Sequence, residues 1–352
     1  MLLKSYPFKI SIVAGVVSNQ SVSVEEYCRG YASEKKIART IRETGFKKLS
    51  IVKPGITTAD MCFQAVRAML DNYDIDKNSI GALIFVSQTP DYIAPSTAFV
   101  LQKKLGLSHD IVAFDVNLGC PGFVYGLYLG GIILSSLAEN KKVLLCCGDV
   151  SSHYFVNSTV FAARAISADG AACVLLDRDS EGNGNIFFNI DSYGDKFHSL
   201  YVPNGGMKSP RTTVDGVLDQ NNPDNFSMMD GLEVLNFTLD EVPKNIETLI
   251  SFLKIKKEDI DVCLFHQPNH QLIKALQENL GMSKDKVIFN SQNIGNASSA
   301  SIPLLLTEAG DGWKSYKSKN VLISGFGMGM AVASVVLNLD STVCMNTMKY
   351  VP

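Results

Sequence analysis

Cys120 lies at a position where a cysteine could act as a catalytic nucleophile. It stands in segment 115–123 (DVNLGCPGF), after an apolar run at 111–114 that predicts a strand. Pro121 favours the first position of a helix, because a proline's missing N–H would be unpaired there. We therefore expect Cys120 at a strand-to-helix turn, where the helix dipole favours the nucleophilic thiolate. The alternative is a buried structural cysteine, the usual environment of a free Cys.

His266 begins the segment 266–270 (HQPNH), in which two histidines have the spacing of a zinc-binding helix. That motif also needs a glutamate, which is absent, and Pro268 interrupts the segment, so no metal site is expected. His266 either caps the following helix or acts as a neutral imidazole that hydrogen-bonds a bound carbonyl or carboxylate. Its predicted position, at the C-terminal end of a strand, is where ligands bind in open α/β sheets.

Asn296 lies in segment 293–301 (NIGNASSAS). It either caps a helix or directs its side-chain amide into a site as a hydrogen-bond donor.

A glycine-rich run at 325–329 (GFGMG) follows a predicted strand. A dinucleotide-binding loop would need a helix next, but 330–339 continues as a strand-like stretch. Gly327 and Gly329 are more consistent with backbone N–H groups that approach a ligand closely, as an oxyanion hole requires.

The elements that position these residues form an internal repeat. Apolar strand-like runs at 81–86, 111–116, 142–148 and 172–176 match runs at 261–266, 287–290, 320–325 and 334–339. The offset is about 180 residues, and it brings Cys120 and Asn296 to matching places. Continuous apolar strands separated by helices predict sheets covered on both faces. We expect an N-terminal half at 1–180, carrying the cysteine, and a C-terminal half at 181–352, carrying the histidine and asparagine.

Composition excludes several classes of protein. The chain has 352 residues, 46% of them hydrophobic, with a net charge of −3 and no basic stripe, so nucleic-acid binding has little support. The N-terminus lacks the apolar core of a signal peptide, and the eight cysteines form no CxxC pair, which indicates reduced thiols and a cytoplasmic protein. Uncharged runs at 116–138 and 287–307 contain polar or helix-breaking residues that suit helices buried in protein better than membrane spans.

Four motifs occur in a fixed order along the chain: Cys, His-Gln-x-Asn, Gly-Asn-x-Ser and a glycine-rich loop. With these motifs the chain resembles the thiolase superfamily, and more closely the β-ketoacyl-[acyl carrier protein] synthase III family. The supporting segments span most of the chain: 44–46 (TGF), 95–98 (PSTA), 120–123 (CPGF), 168–172 (ADGAA), 229–234 (MDGLEV), 266–269 (HQPN), 295–298 (GNAS) and 326–329 (FGMG).

The resemblance implies a five-layer αβαβα fold, a homodimer and a two-step Claisen condensation without a cofactor. Cys120 would accept an acyl group from acyl-CoA, and His266 and Asn296 would bind the thioester carbonyl of malonyl-acyl carrier protein. Their hydrogen bonds would stabilise the enolate formed on loss of CO₂, which attacks the acyl group. The backbone N–H groups of Cys120 and Met328 match the family's oxyanion hole. Asn269, Gly327, Gly329 and Ala94 match positions that line the substrate site.

The chain also departs from the family's pattern. The usual Trp and Arg that hold the CoA adenine are missing from their places; Trp313 is far away in sequence, and Arg39 and Arg42 are the nearby basic residues. The family's usual basic residue before the Asp-Gly-Ala segment is also missing, since Arg164 is close to that place but out of register. Ala94 replaces the aromatic residue that closes the partner's acyl pocket. We therefore expect acyl groups longer than acetyl, unless other side chains fill the gap, for which the candidates are Met207, Met228, Met328 and Met330.

The first hypothesis is a ketoacyl synthase III-like acyltransferase of fatty-acid or specialised lipid synthesis. The alternative is an acyltransferase of the same fold that moves the acyl group from Cys120 to an oxygen or nitrogen nucleophile without condensation. A thiolase would carry a second cysteine near the glycine-rich loop, and none occurs at 324–334. A non-catalytic subunit should have lost Cys120.

Overall fold

The computed structural model describes residues 1–152, 161–180, 184–215, 217–219, 222–316 and 318–352. The strands are β1 (Leu2–Ser5), β2 (Phe8–Val17), β3 (Ser21–Ser23), β4 (Lys48–Ser50), β5 (Ile80–Val86), β6 (Val112–Val116), β7 (Lys142–Val150), β8 (Asp169–Arg178), β9 (Ile186–Ser192), β10 (Leu200–Tyr201), β11 (Thr213–Val214), β12 (Val217–Leu218), β13 (Met228–Met229), β14 (Val262–Phe265), β15 (Val321–Gly327), β16 (Ala331–Leu337), β17 (Val343–Cys344) and β18 (Met348–Lys349). The α-helices are α1 (Val24–Cys28), α2 (Glu34–Thr44), α3 (Thr58–Asn72), α4 (Thr97–Leu105), α5 (Gly122–Ser136), α6 (Phe161–Arg164), α7 (Gly231–Leu253), α8 (His270–Leu280) and α9 (Ser301–Ala309).

Two mixed sheets form the frame of the molecule. The first has the strand order β17-β2-β8-β7-β5-β6, with β18 also paired to β2, and the second has the order β1-β9-β16-β15-β14. Their central strands are mainly apolar; β5, for example, is buried at every position. Such strands are stable only when both faces of the sheet are covered.

The predicted duplication is confirmed by the topology of the sheets. In the first sheet β8 is antiparallel to both β2 and β7, and β5 is parallel to both β7 and β6. In the second, β9, β16 and β15 alternate in the same way, and β14 is parallel to β15. An isolated parallel bridge between Cys263 and Val287 stands where β6 stands in the first sheet.

Helices α5 and α9 lie between the two sheets, with α3 and α4 outside the first sheet and α7 and α8 outside the second. The fold is therefore the expected five-layer αβαβα arrangement. The two uncharged runs supply the central helices, and side chains of both sheets meet them in one core. Gly130 allows α5 to approach the first sheet closely, because a Cβ there would lie 2.5 Å from Leu176. Among the described residues no helix is long and apolar enough to cross a bilayer.

The two sheets exchange strands near the ends of the chain. β1 pairs with β9 in the second sheet, although it belongs to the first half of the chain. β17 and β18 pair with β2 in the first sheet, although they belong to the second half. Each sheet therefore contains residues from the other side of the predicted boundary at 180.

All eight cysteines are free, as the lack of paired spacing predicted. Cys62, Cys146 and Cys173 are buried together between α3 and the first sheet, with their sulfur atoms within 4.8 Å of one another.

Candidate active site

Cys120 lies between β6 and α5, as predicted. The helix begins at Gly122, one residue later than expected, and Pro121 precedes it with helical dihedral angles of φ −80° and ψ −7°. The tight turn is closed by a 2.7 Å hydrogen bond from the Gly122 N–H to the Gly119 carbonyl. The N–H groups of Met328 and of Cys120 itself interact with the thiol and stabilise its charged form. These are the two donors that the family resemblance implies for an oxyanion hole.

Gly327 allows the turn between β15 and β16 to reach the cysteine. Its φ is +142°, and a Cβ atom at this position would lie 2.8 Å from the Cys120 Cβ and 3.0 Å from its sulfur. Both distances are shorter than a normal van der Waals contact. Only a glycine therefore permits the Met328 N–H to lie beside the thiol without displacing it.

The preference for the thiolate expected from the helix start is opposed by burial in the resting site. Burial raises the pKa of the Cys120 thiol to about 11, and the N–H groups of Met328 and Cys120 offset this only in part. The negative charge of Asp149 also opposes ionisation of the thiol. Cys120 is therefore a thiol at neutral pH, and its proton must be removed during the reaction.

His266 directly follows β14, at the end of that strand, and its side chain is buried. Its Nδ1 lies 2.7 Å from the Ser301 hydroxyl at the start of α9, and the edge of Phe326 packs against the ring. Burial lowers the pKa of His266 to about 3, so the imidazole is neutral at physiological pH. A neutral imidazole can donate one hydrogen bond to a carbonyl oxygen, which is the chemistry predicted for this residue.

Asn296 is held by the first half of the chain. Its backbone N–H donates to the Ile166 carbonyl at 2.8 Å, and its carbonyl accepts from Ala168 at 3.0 Å. Its side-chain oxygen accepts a 2.9 Å hydrogen bond from the Ser298 N–H. Because the oxygen is engaged in this way, the amide NH₂ is the group left for a ligand.

Ser298 joins the three predicted catalytic residues, and sequence reasoning did not single it out. Its N–H orients Asn296, its backbone carbonyl favours a proton on His266, and its hydroxyl stabilises the charged form of Cys120. Ser298 has a left-handed backbone, with φ +51°, which non-glycine residues rarely adopt. The serine of the Gly-Asn-x-Ser motif was the signal in the sequence that could have identified it.

Asp149, on β7, is a buried carboxylate beneath this site. One oxygen accepts from the Gln88 N–H at 2.7 Å and the Ser87 hydroxyl at 3.1 Å. The other accepts from the Ser299 hydroxyl at 3.1 Å, and the Ser298 hydroxyl further stabilises the carboxylate. Burial nevertheless raises the pKa of Asp149 above its ordinary value. Residues 146–149 were predicted to be a buried strand and the turn after it. In the structure Asp149 lies within strand β7 and not in a turn.

The residues predicted to line the substrate site lie in different environments. Asn269 caps α8, since its side-chain oxygen accepts from the Leu272 N–H at 2.8 Å, so the capping role considered for His266 belongs to Asn269. Gly329, with φ +149°, forms the turn after Met328. Ala94 lies in an exposed loop between β5 and α4, next to Ile93, which is 99% exposed. Any role of Ala94 in an acyl pocket would therefore concern a second chain.

Two of the methionines considered as fillers of the acyl pocket are on the surface. Met207 is 98% exposed and Met228 is 38% exposed, whereas Met330 is buried. A groove of about 550 Å³ is lined by His198, Tyr201, Met228, Met229, Asp230 and Gly231. A second groove, of about 290 Å³, begins at His270 and includes Lys274, Lys284 and Phe289.

Trp313, Arg39 and Arg164, which were named beside the departures from the family's pattern, lie in three different environments. Trp313 is a core residue, and Arg39 is exposed and paired with Glu43 at 2.6 Å. Arg164 is buried, with its guanidinium 3.9 Å from the ring centres of both Tyr27 and Tyr31.

Models of one protein family match segments in both halves of the chain. Residues 114–194 match the family model described as 3-oxoacyl-[acyl-carrier-protein] synthase III, and residues 250–339 match the model of its C-terminal part. A protein of Campylobacter jejuni that carries the name 3-oxoacyl-[acyl-carrier-protein] synthase 3 is 31% identical over 351 residues, 97% of each chain. The β-ketoacyl-[acyl-carrier-protein] synthase III of Koribacter versatilis is 30% identical and covers 84% of this chain and 88% of its own.

A solved structure supports the same relationship. The 3-oxoacyl-(acyl-carrier protein) synthase of Burkholderia xenovorans superimposes with a TM-score of 0.90 at 30% identity, covering 99% of both chains.

Proposed function

The chain belongs to the 3-oxoacyl-[acyl-carrier-protein] synthase III family of condensing enzymes, and we propose that Cys120, His266 and Asn296 carry its two half-reactions. The observation that supports this assignment most is the position of Ser298, whose N–H, carbonyl and hydroxyl act on Asn296, His266 and Cys120 respectively. This supports a single site to which the first half of the repeat contributes the nucleophile and the second half the two side-chain donors.

In the first half-reaction the Cys120 sulfur attacks the carbonyl carbon of an acyl-CoA. The C–S bond to CoA breaks, CoA leaves as a thiol, and the acyl group remains on Cys120. The N–H groups of Cys120 and Met328 stabilise the negative charge that develops on the carbonyl oxygen.

In the second half-reaction the malonyl thioester of an acyl carrier protein binds with its carbonyl oxygen between His266 and Asn296. The bond to the carboxylate breaks, CO₂ leaves, and the electron pair forms an enolate whose charge these two donors stabilise. The enolate carbon attacks the acyl group on Cys120, and the C–S bond breaks to release the β-ketoacyl product. His266 suits this role because its low pKa keeps it a neutral donor.

The groove at His198 and Met228 is the proposed entrance for the acyl donor. Phe197 and Leu232, which directly adjoin the lining residues His198 and Gly231 in the chain, are exposed apolar side chains. A hydrogen bond from the Tyr193 N–H to the Met330 carbonyl joins this segment to the turn that carries Met328. The short helix Gly194–Ser199 follows directly and contains His198 of the groove. An apolar border is suited to the pantetheine arm and acyl chain of a thioester.

We also propose a homodimer formed through β6. This strand lies at one edge of the first sheet, and Val112 on it is 46% exposed. Phe99 on α4 and Ile93 in the preceding loop add exposed apolar surface to the same region. A two-fold partner strand would satisfy the unpaired edge and cover these side chains. Sedimentation at micromolar concentration tests this, and a fully active monomer would refute it.

Intact-protein mass spectrometry with a series of acyl-CoAs tests the catalytic assignment. The wild-type protein should gain the mass of one acyl group, and digestion should place it on the peptide that contains Cys120. Cys120→Ala should gain none, whereas the control variants Cys146→Ala and Cys147→Ala should be acylated normally. Stable acylation of Cys120→Ala at another cysteine would overturn the assignment. Transfer of the acyl group to an alcohol or amine without loss of CO₂ would favour acyl transfer without condensation.

A further inference from the structure

The loop that carries Asn296 rests on two segments of the first half of the chain. On one side, the Asn296 N–H donates to the Ile166 carbonyl at 2.8 Å, and the Ala168 N–H donates to the Asn296 carbonyl at 3.0 Å. On the other side, the Ser50 N–H donates to the Ile294 carbonyl at 2.8 Å. The position of the Asn296 amide therefore depends on how the end of β4 and the start of β8 are held together.

We propose that Asp169 is a positioning residue for Asn296, because it joins these two segments. This inference rests on the proposed function, in which the Asn296 amide stabilises the enolate of the malonyl thioester. Asp169 directly follows Ala168 at the start of β8, and its carbonyl accepts from the Ser50 hydroxyl at 2.6 Å. Its carboxylate accepts from the Val52 N–H at 2.8 Å. Asp169 thus binds the end of β4 through its main chain and the following residues through its side chain.

The carboxylate of Asp169 is buried, and three donors fix its orientation. The Ser152 N–H donates to one oxygen at 2.8 Å, whereas the Val52 N–H and the Ser152 hydroxyl donate to the other at 2.8 and 2.7 Å. Burial raises the pKa of Asp169 to about 6, so the group is ionised at neutral pH and accepts from all three. An asparagine has the same shape but only one acceptor oxygen, so one of the two backbone N–H groups would lose its acceptor.

Close packing transmits the position of these segments to the catalytic loop. Gly295 has φ +92°, and a Cβ there would lie 2.6 Å from the Leu49 side chain and 2.8 Å from the Ala168 Cβ. The Asn296 side-chain oxygen is held by the Ser298 N–H, which belongs to the same loop and moves with it. A shift of β4 relative to β8 therefore moves the amide group as well.

The other two catalytic side chains are positioned by different elements. Cys120 lies in the turn at the start of α5, and His266 follows β14 with its Nδ1 2.7 Å from the Ser301 hydroxyl. Loss of the Asp169 carboxylate should therefore displace one of the two donors to the enolate and leave the nucleophile in place. The expected defect is in condensation and not in acylation.

Measuring the two half-reactions separately tests this role. Asp169→Asn should acylate with acetyl-CoA near the wild-type rate but condense with malonyl-acyl carrier protein about tenfold more slowly or worse, because misplacing a catalytic group by about 1 Å can cost about 10²-fold. The matched control is Asp261→Asn, since the Asp261 carboxylate also accepts from two backbone N–H groups, those of Lys319 and Asn320 at 3.1 and 3.0 Å. Asp261 precedes β14 at the opposite end from His266, so both half-reactions should stay near wild type.

A double-mutant cycle separates positioning from a general loosening of the structure. If Asp169 acts through Asn296, adding Asp169→Asn to Asn296→Ala should lower condensation little further. Independent losses in this cycle, an equal loss of both half-reactions, or wild-type condensation by Asp169→Asn would overturn the inference. If Asp169→Asn does not fold, Ser50→Ala removes the donor to the Asp169 carbonyl and should show the same selective loss of condensation. Wild-type condensation by Asn296→Ala alone would instead overturn the proposed function.

Discussion

The close approach of Gly327 to Cys120 leads to a sharp prediction for Gly327→Ala. A Cβ at this position would lie 3.0 Å from the sulfur, against about 3.5–4.0 Å for an unstrained contact. The thiol must therefore move by about 0.5–1 Å relative to the Met328 N–H. A displacement of about 1 Å can cost about 10²-fold in rate, so we expect a loss of this size in the acylation of Cys120.

Backbone strain must be separated from displacement of the thiol, because Gly327 has φ +142°. The control is Gly184→Ala, where φ is +121° and nothing lies within 4 Å of the added Cβ. Both variants should lose about 1–3 kcal/mol in the free energy of unfolding, which denaturant titration measures. Only Gly327→Ala should lose acylation, followed by mass spectrometry over time with acetyl-CoA. A folded Gly327→Ala that acylates at the wild-type rate would refute the proposed role of this contact.

Three further predictions concern the same site. His266→Ala and Asn296→Ala should still form acyl-enzyme but lose condensation by about 10²-fold or more, measured with malonyl-acyl carrier protein; equal loss of both half-reactions would assign them to activation of Cys120 instead. Alkylation of Cys120 by iodoacetamide should rise about tenfold per pH unit from pH 7 toward its pKa of about 11, because only the thiolate reacts, and a plateau below pH 9 would contradict the effect of burial. Ala94→Phe should shift the preference from hexanoyl-CoA to acetyl-CoA in competition assays, and a wild-type protein that strongly prefers acetyl-CoA would argue against an enlarged acyl pocket.

The sequence predicted the architecture well where the evidence was local or repeated. The turn at Cys120 followed from an apolar strand and a helix start within a few residues. The duplication followed from matching apolar runs, and the second sheet repeats the strand order of the first. The short strands β1, β17 and β18 could not be assigned to a sheet, because strands of two to four residues carry almost no periodic pattern.

The chemistry of the site was harder to predict because it depends on distance in space. Asp149 and Ser299 are hydrogen-bonded although 150 positions separate them in the chain. The ionisation of Cys120 was predicted with the wrong sign, since the helix start was visible in the sequence and the burial of the thiol was not. Met207 was considered as a filler of the acyl pocket from its residue type alone, and it is on the surface.

The exchange of edge strands makes each duplicated half dependent on the other. The first sheet, which positions Cys120, is completed at one edge by residues 343–349, and the second receives residues 2–5. During synthesis the first half cannot reach its native edge until the second half has been translated. A chain divided near residue 180 would leave both fragments with an unpaired, aggregation-prone strand. Each half of the duplication therefore depends on the other to complete its own sheet.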